Sequence, residues 1–237
     1  AKFKSPHGVA FNSETGDIFV AEAGNHIIRK LTPSAGEKYK FYVSTFAGTP
    51  EKGGFKDGLN KEAMFNSPHS ILWTGDQLIV ADIGNARIRS VIGDSVKTIA
   101  GTGELGNVDT TPTMSTFKYP MDMVMGKDNS IIIADAGTHQ IRNLFLDQQV
   151  TTMQLKDTLN TPHGIAIDDN GILYVADMRT NRILSINESG EVKVVCGTGV
   201  AGSKVEQLNK PAAVLVHAGH LWIADLNNHQ IKALRLK

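Results

Sequence analysis

The sequence predicts an all-β fold, a β-propeller of five four-stranded blades. A run of three β-favouring residues, followed by alanine and an acid, occurs five times in 237 residues. A proline precedes each run at a nearly constant distance, and an isoleucine follows each acid at a constant one. Units of this size, each holding several short strands, are typical of propellers, which repeat blades around an axis.

The central run of each unit is short and almost entirely apolar, which indicates a strand buried on both faces. The alanine of each run follows its proline by 13 to 15 residues, enough for one strand, a turn and the central strand. The prolines are Pro6, Pro68, Pro120, Pro162 and Pro211. The central runs are Ile18–Glu22, Leu78–Asp82, Ile131–Asp135, Leu173–Asp177 and Leu221–Asp225.

The spacing from each acid to the following isoleucine is six residues in every unit, so we expect one turn geometry to join the second strand to a third. A fourth strand is predicted over residues 42–47, 96–100 and 192–196, and from a weaker pattern over 150–153. The last unit has room for a third strand after Ile231, and no fourth strand is expected there.

We place the blades near residues 6–47, 68–100, 120–153, 162–196 and 211–237 of a single domain that spans 1–237. The first residues align with the segments before the later prolines, so they do not supply the fourth strand that the last unit lacks. In the alternative interpretation, the chain is therefore part of a six-bladed propeller from which one blade or strand is missing.

Composition excludes several classes of protein. The 24 Lys and Arg balance 24 Asp and Glu, which argues against nucleic-acid binding because contacts to phosphates require an excess of cations. The single cysteine excludes a disulfide framework, and no apolar run approaches the roughly 18 residues of a membrane span. We expect a soluble protein, cytoplasmic or extracellular, with a protein or small-molecule partner and no membrane contact.

Two repeated motifs favour structural roles. A basic residue follows the acid by seven positions in four of the five units, as in Asp82 and Arg89, and a catalytic site would be needed only once. We therefore expect the carboxylate to cap the amides of the turn and to pair across the hairpin. Segments 101–106 and 197–202 match the spacing of a dinucleotide fingerprint, but no helical pattern follows either, so we interpret both as turns.

The repeated pattern of Pro-His-Gly, Ala-Asp and Gly-Asn-x-x-Ile-Arg resembles that of the NHL-repeat β-propellers. Asn25-His26-Ile27 is the nearest match to the triplet that gives those repeats their name. The resemblance covers nearly the whole chain and implies the propeller fold. That fold hosts adaptors, RNA binders and enzymes, so it leaves the function open.

Three of the eight histidines directly follow a repeat proline: His7, His69 and His163. In the propellers that the sequence resembles, the first strand of each blade is innermost, which implies that these side chains gather at one mouth of a central channel. Three neutral imidazoles with an open fourth position form a known catalytic zinc set. A weaker similarity to peptidylglycine amidating lyase propellers implies the same three residues as zinc ligands. In the alternative interpretation, each histidine bonds backbone and orders its strand.

The sequence favours a non-catalytic propeller without a cofactor, a scaffold that binds a protein or small molecule through its loops and channel mouth. The long loops 48–66 and 101–118 are the candidate surfaces, because loops on a rigid scaffold often carry recognition. Two alternatives stay open. One is a zinc-dependent lyase or hydrolase acting at the channel through the three histidines, and the other is an RNA-binding propeller.

Overall fold

A computed structural model of the chain describes residues 1–37, 39–146 and 148–236. These residues form 20 β-strands and five 3-10 turns of three residues each, so the predicted all-β class is confirmed. Among them there is no helix long and apolar enough to cross a membrane. The 3-10 turns are Ala23–Asn25, Ile83–Asn85, Pro112–Met114, Met178–Thr180 and Leu226–Asn228.

The strands form five antiparallel sheets, one for each predicted blade of the propeller. Blade 1 comprises β1 (Pro6–Phe11), β2 (Ile18–Glu22), β3 (Ile27–Pro33) and β4 (Phe41–Ala47). Blade 2 comprises β5 (Gly58–Leu59), β6 (Pro68–Trp73), β7 (Leu78–Asp82), β8 (Arg87–Ile92) and β9 (Ser95–Ala100). Blade 3 comprises β10 (Pro120–Met125), β11 (Ile131–Asp135), β12 (Gln140–Phe145) and β13 (Gln149–Thr152). Blade 4 comprises β14 (Pro162–Ile167), β15 (Leu173–Asp177), β16 (Arg182–Ile186) and β17 (Val192–Cys196), and blade 5 comprises β18 (Pro211–His217), β19 (His220–Asp225) and β20 (Gln230–Arg235).

The five predicted central strands are confirmed, and so are the four predicted outer strands, including the weakly patterned β13. Two blades depart from four strands. In blade 2 the two-residue strand β5, which comes from the preceding loop, pairs with the outer edge of β9. Blade 5 has three strands within the described residues, as its length predicts.

The chain divides into two compact units, Ala1–Pro120 and Met121–Lys237. Unit 1 contains blades 1 and 2 with the two long loops, and unit 2 contains blades 3, 4 and 5 apart from the first residue of β10. The assignment of both units to one domain stays a prediction.

Within each unit, neighbouring blades pack face to face through apolar side chains. We call the side of a blade that meets the next blade in sequence its forward face, and the opposite side its backward face. In unit 1, Phe19 on the forward face of blade 1 stacks on Trp73 of blade 2 at 5.5 Å between ring centroids. In unit 2, Tyr174 and Ala176 of blade 4 pack with Val214 of blade 5.

An unusual backbone conformation precedes every inner strand. The residue before each repeat proline has a φ between 48° and 67°, in the left-handed region that non-glycine residues rarely occupy. The five residues are Ser5, Ser67, Tyr119, Thr161 and Lys210. Such a conformation persists only where surrounding contacts hold it.

Candidate functional site

A buried carboxylate holds that strained segment in place. The acid at the end of each central strand is fully buried. Asp82 Oδ1 accepts the backbone N–H of Asn66, two residues before Pro68, at 2.7 Å. The same bond joins Lys4 to Glu22 at 2.7 Å, Asn160 to Asp177 at 2.6 Å and Asn209 to Asp225 at 2.7 Å. The acid thus connects the central strand to the start of the inner strand.

The same carboxylate also bonds the turn that follows it and a basic residue on the third strand. Asp82 Oδ2 accepts from Asn85 Nδ2 at 2.7 Å and from Arg89 Nη1 at 2.8 Å. The ion pair recurs in Glu22–Arg29 at 3.2 Å, Asp135–Arg142 at 3.6 Å and Asp225–Lys232 at 3.1 Å. The structural role of the acids is confirmed. The backbone amides they bind, however, precede the inner strand, whereas the prediction placed them in the turn.

Blade 2 has the most elaborate version of this pair. Arg89 is fully buried, and besides Asp82 it donates to Asp57 Oδ1 at 3.0 Å and to the carbonyl of Lys56 at 2.9 Å. Burial raises the pKa of Asp82 to about 6, although the hydrogen bonds that its carboxylate accepts from Asn85, Asn66 and Arg89 favour the ionised form. In blade 4, Leu184 stands where Arg89 does, and burial also raises the pKa of Asp177.

The glycine segments form turns, as the sequence predicts. Gly101 and Gly103 have φ near +94°, and a Cβ on Gly101 would lie 2.5 Å from the carbonyl oxygen of Ala86. Gly197 and Gly199 repeat this geometry after β17. Neither segment opens a helix, so the backbone amides are not gathered to hold a pyrophosphate.

Two of the three predicted metal-ligating histidines lie together in unit 1. The rings of His7 and His69 are 4.1 Å apart between centroids, with 31° between their planes. Loss of water contact lowers the pKa of His7, which favours the neutral imidazole that binds metals. The pair is therefore compatible with a metal ion.

His163, in unit 2, lies 2.8 Å through Nδ1 from the carbonyl oxygen of Ala212, so this nitrogen carries the proton. This agrees with the alternative interpretation, in which the histidine bonds backbone. It is also compatible with ligation, because metal-bound histidines commonly donate their other N–H to a carbonyl. The described residues contain no group of three or more His, Cys, Asp or Glu side chains placed to hold a metal ion. Shared ligation by His7, His69 and His163 stays a prediction.

A second set of polar side chains links blade 1 to blade 2, blade 3 to blade 4 and blade 4 to blade 5. His26 Nδ1 accepts the backbone N–H of Ser67, directly before Pro68, at 3.0 Å. The same link joins His139 to Thr161 at 3.0 Å and Asn181 to Lys210 at 2.9 Å. Each of these acceptors belongs to a residue with positive φ at the end of the turn between the second and third strands. The repeat places them in that turn, but it does not show which distant amide they meet.

The two long loops meet at Arg87 in unit 1. The guanidinium carbon of Arg87 lies 3.8 Å from the ring centroid of Phe55, and the guanidinium donates to the carbonyls of Asn85 and Thr102. Phe55 is nonetheless 46% exposed. Loop 101–118 also exposes Leu105, Val108 and Met114, each by more than half. We call Phe55, Arg87 and these three side chains the Arg87 surface.

Five blades of antiparallel strands, each with the same buried carboxylate at the end of its central strand, define the class of protein as a β-propeller. Parts of the chain are similar to the NHL repeat. The family model described as NHL repeat matches residues 3–31 and 159–184, in blades 1 and 4.

The chain is also similar to two longer proteins. It is 27% identical to human NHL repeat-containing protein 2 over 292 residues, covering 99% of this chain and 39% of that protein. It is 26% identical to Protein SUPPRESSOR OF QUENCHING 1, chloroplastic, of Arabidopsis thaliana over 272 residues, covering 100% of this chain and 25% of that protein. The chain thus spans well under half of these relatives, and both alignments are longer than its 237 residues.

Solved structures share the fold at low sequence identity. A chain from the crystal structure of a nidogen/laminin complex superposes with a TM-score of 0.71 and 17% identity. The match covers 98% of this chain and 76% of that one. At this identity the likeness shows the fold alone.

Proposed function

We propose that the protein is a binding scaffold that recognises a protein partner through the Arg87 surface. The observation that carries the proposal is the meeting of the two long loops at Arg87, which fixes exposed apolar side chains on a rigid blade. Arginine and aromatic residues are enriched among the side chains that dominate binding energy at protein interfaces. Loops held by a rigid scaffold lose little entropy on binding.

The contacts of Arg87 favour a protein over a nucleic acid. Its guanidinium is covered on one side by Phe55 and bonds two backbone carbonyls, so its charge is largely directed inward. The exposed residues Leu105, Val108 and Met114, in the same loop as Thr102, are apolar, and the chain has no net charge. The nidogen/laminin complex, one chain of which shares the fold, agrees with such a role.

Substituting Phe55 with alanine should weaken partner binding at least about 10-fold, because the ring supplies buried area in the complex and orders Arg87. Affinity capture from the natural source, followed by titration of the recovered partner, measures the effect. Phe41→Ala, which removes an exposed ring from β4, is the matched control and should bind as the parent does. Equal binding by the parent and Phe55→Ala would contradict the proposal, and a salt-dependent shift with single-stranded RNA would favour the RNA-binding alternative.

A metal-dependent function is the second candidate, and the close pair of His7 and His69 favours it. If these residues bind zinc together with His163, the purified protein should contain about one equivalent of metal by elemental analysis. His7→Ala and His69→Ala should each lose that metal, whereas the control His217→Ala should keep it. Equal metal content in all four proteins would remove this candidate.

A further inference from the structure

A cavity of about 250 Å³ lies between blades 3 and 4, both of which belong to unit 2. Its floor is aliphatic, with Ile132 on the forward face of blade 3 and Ile167 and Leu173 on the backward face of blade 4. Ile132 and Leu173 are buried in the core of this interface, and Ile167 and Met153 pack against that core. The turns that follow β10 and β16 form the mouth. The cavity thus combines an apolar floor with a polar rim.

Two positions of the repeat explain this space. Between blades 1 and 2, the ring of Phe19 packs on those of Phe46 and Trp73 at 4.9 and 5.5 Å between centroids. Counted from the start of the central run, Ile132 of blade 3 takes the place of Phe19. Counted from the repeat proline, Ile167 of blade 4 takes the place of Trp73. Both isoleucines line the cavity, which therefore occupies space that aromatic rings fill in unit 1.

The interface between blades 4 and 5 supports this explanation. Tyr174 holds the position of Phe19 there, is buried, and packs in one cluster with Val214 and Val216 of blade 5. A ring at this position is thus covered by the next blade in both units. Cavities of about 150 Å³ lined by aliphatic side chains bind benzene, so the larger space between blades 3 and 4 has room for one or two rings.

The mouth of the cavity carries more negative than positive charge. Glu188 is exposed, and its carboxylate has no hydrogen bond or ion pair among the residues that the structure describes. Hydrogen bonds from Ser130 lower the pKa of Asp128, which is therefore ionised at neutral pH. The ammonium group of Lys127 donates to the carbonyl of Asp169, from the turn of blade 3 to that of blade 4. The two carboxylates favour a cation at the mouth.

We propose that this cavity binds a small molecule in which an aromatic group of one or two rings is joined by a short linker to an ammonium group. The rings would contact Ile132 and Ile167 on the floor. The ammonium group would pair with Glu188 and Asp128 at the mouth. The cavity lies in unit 2 and the Arg87 surface in unit 1, so the proposal does not depend on protein binding through that surface.

Tryptamine is a suitable probe, because an ethyl linker joins its indole ring to an ammonium group. Titration into the full chain, followed by NMR of the side-chain methyl groups, should give a dissociation constant of about 0.1–1 mM, as expected for a ligand of this size. The largest shifts should fall on Ile132, Met153, Ile167 and Ile186. Indole-3-propionate, which has the same ring and the opposite charge, should bind at least about 10-fold more weakly. Absence of tryptamine binding, shifts confined to other residues, or equal binding of the two probes would overturn the proposal.

Two variants separate the floor of the cavity from its mouth. Ile167→Trp introduces the residue that blade 2 has at this position and should abolish tryptamine binding by filling the cavity. Its control, Val194→Trp, adds a ring at an exposed site on β17 and should bind as the parent does. Glu188→Gln should weaken tryptamine binding about 3-fold, whereas Glu206→Gln, at an exposed carboxylate outside the cavity lining, should not. Undiminished binding by Ile167→Trp or by Glu188→Gln would contradict the assignment.

An aromatic side chain of a partner protein is the rival occupant. N-acetyltryptophanamide presents the same indole ring in an uncharged, peptide-like molecule, and we expect it to bind at least about 3-fold more weakly than tryptamine. Tighter binding by N-acetyltryptophanamide would assign the cavity to a protein side chain and overturn the proposal. The methyl shifts of the parent chain locate the bound probe even if Ile167→Trp does not fold.

Discussion

Replacing Arg89 with alanine should lower the free energy of unfolding by about 3–5 kcal/mol, because it leaves the buried carboxylate of Asp82 without its cation. Arg89 has no exposed area, and it also bonds Asp57 and the carbonyls of Lys56 and Met64. Chemical denaturation at pH 7.5 measures the loss. Lys40→Ala is the control and should change stability little, since Lys40 pairs with Glu37 on the exposed surface.

The loss should shrink as the pH falls. Asp82 has a pKa of about 6 in the folded protein, above its value in an unfolded chain, so the folded state binds more protons between these values. Protonation in this window therefore stabilises the fold, and stability decreases as the pH rises towards 6. In Arg89→Ala the uncompensated carboxylate should be protonated more readily still. A defect of equal size at pH 5 and pH 7.5 would contradict this explanation.

Blade 4 offers a comparison for the same variant. In blade 4, Leu184 takes the position of Arg89, and Thr180 Oγ1 bonds the buried carboxylate of Asp177 at 2.6 Å. The double variant Asp82→Asn/Arg89→Leu should accordingly recover part of the stability lost in Arg89→Ala, because no buried charge is left unpaired. A double variant less stable than the single one would show that the other bonds of Arg89 dominate.

Replacing Gly164 with alanine should cost about 3 kcal/mol, because the added Cβ would lie 2.5 Å from the Cα of Ala213 and 2.6 Å from the carbonyl oxygen of Ala212. Both atoms belong to the backbone of the neighbouring inner strand, which cannot move without separating blades 4 and 5. Gly8 in blade 1 meets the backbone of blade 2 in the same way, at 2.4 Å from the carbonyl oxygen of His69. The close approach of inner strands explains the glycine of the Pro-His-Gly motif.

Gly219→Ala is the control for this variant. Gly219 has a positive φ of 72° but open space around its Cβ direction, so its cost should be about 1 kcal/mol, from backbone conformation alone. Urea denaturation of both variants separates the steric effect from the conformational one. Equal losses at Gly164 and Gly219 would contradict the argument from strand packing.

The fold could be predicted because its strongest signals are local. The spacing of six residues from Asp82 to Ile88 recurs in every blade, and in blades 1, 2, 4 and 5 it contains a 3-10 turn. Short apolar runs predict the central strands, which are buried on both faces in blades 1 to 4, whereas Trp222 in the central strand of blade 5 is 41% exposed. Even the short strand β13 can be predicted from the sequence, because its position in the repeat is known once the other strands are placed.

The contacts that join blades could not be predicted, because they depend on atoms far apart in the sequence. The backbone N–H of Ser67 donates to His26, which lies 41 residues earlier in the chain. This bond and the one from Asn66 to Asp82 hold Ser67 at its positive φ. The convergence of Phe55 and Thr102 on Arg87 likewise requires two loops to be placed in space. The spacing of His7 and His69 suggested their proximity only through the resemblance to known propellers.

The link from His26 to the amide before Pro68 also bears on how the chain folds during synthesis. When such a blade leaves the ribosome, the acceptor side chain in its turn has no donor. The donor is the backbone N–H before the next repeat proline, which is synthesised later. The same dependence joins His139 to Thr161 and Asn181 to Lys210. Consecutive blades in these pairs therefore mature in the order of translation, with coupling confined to nearest neighbours as in linear repeat arrays.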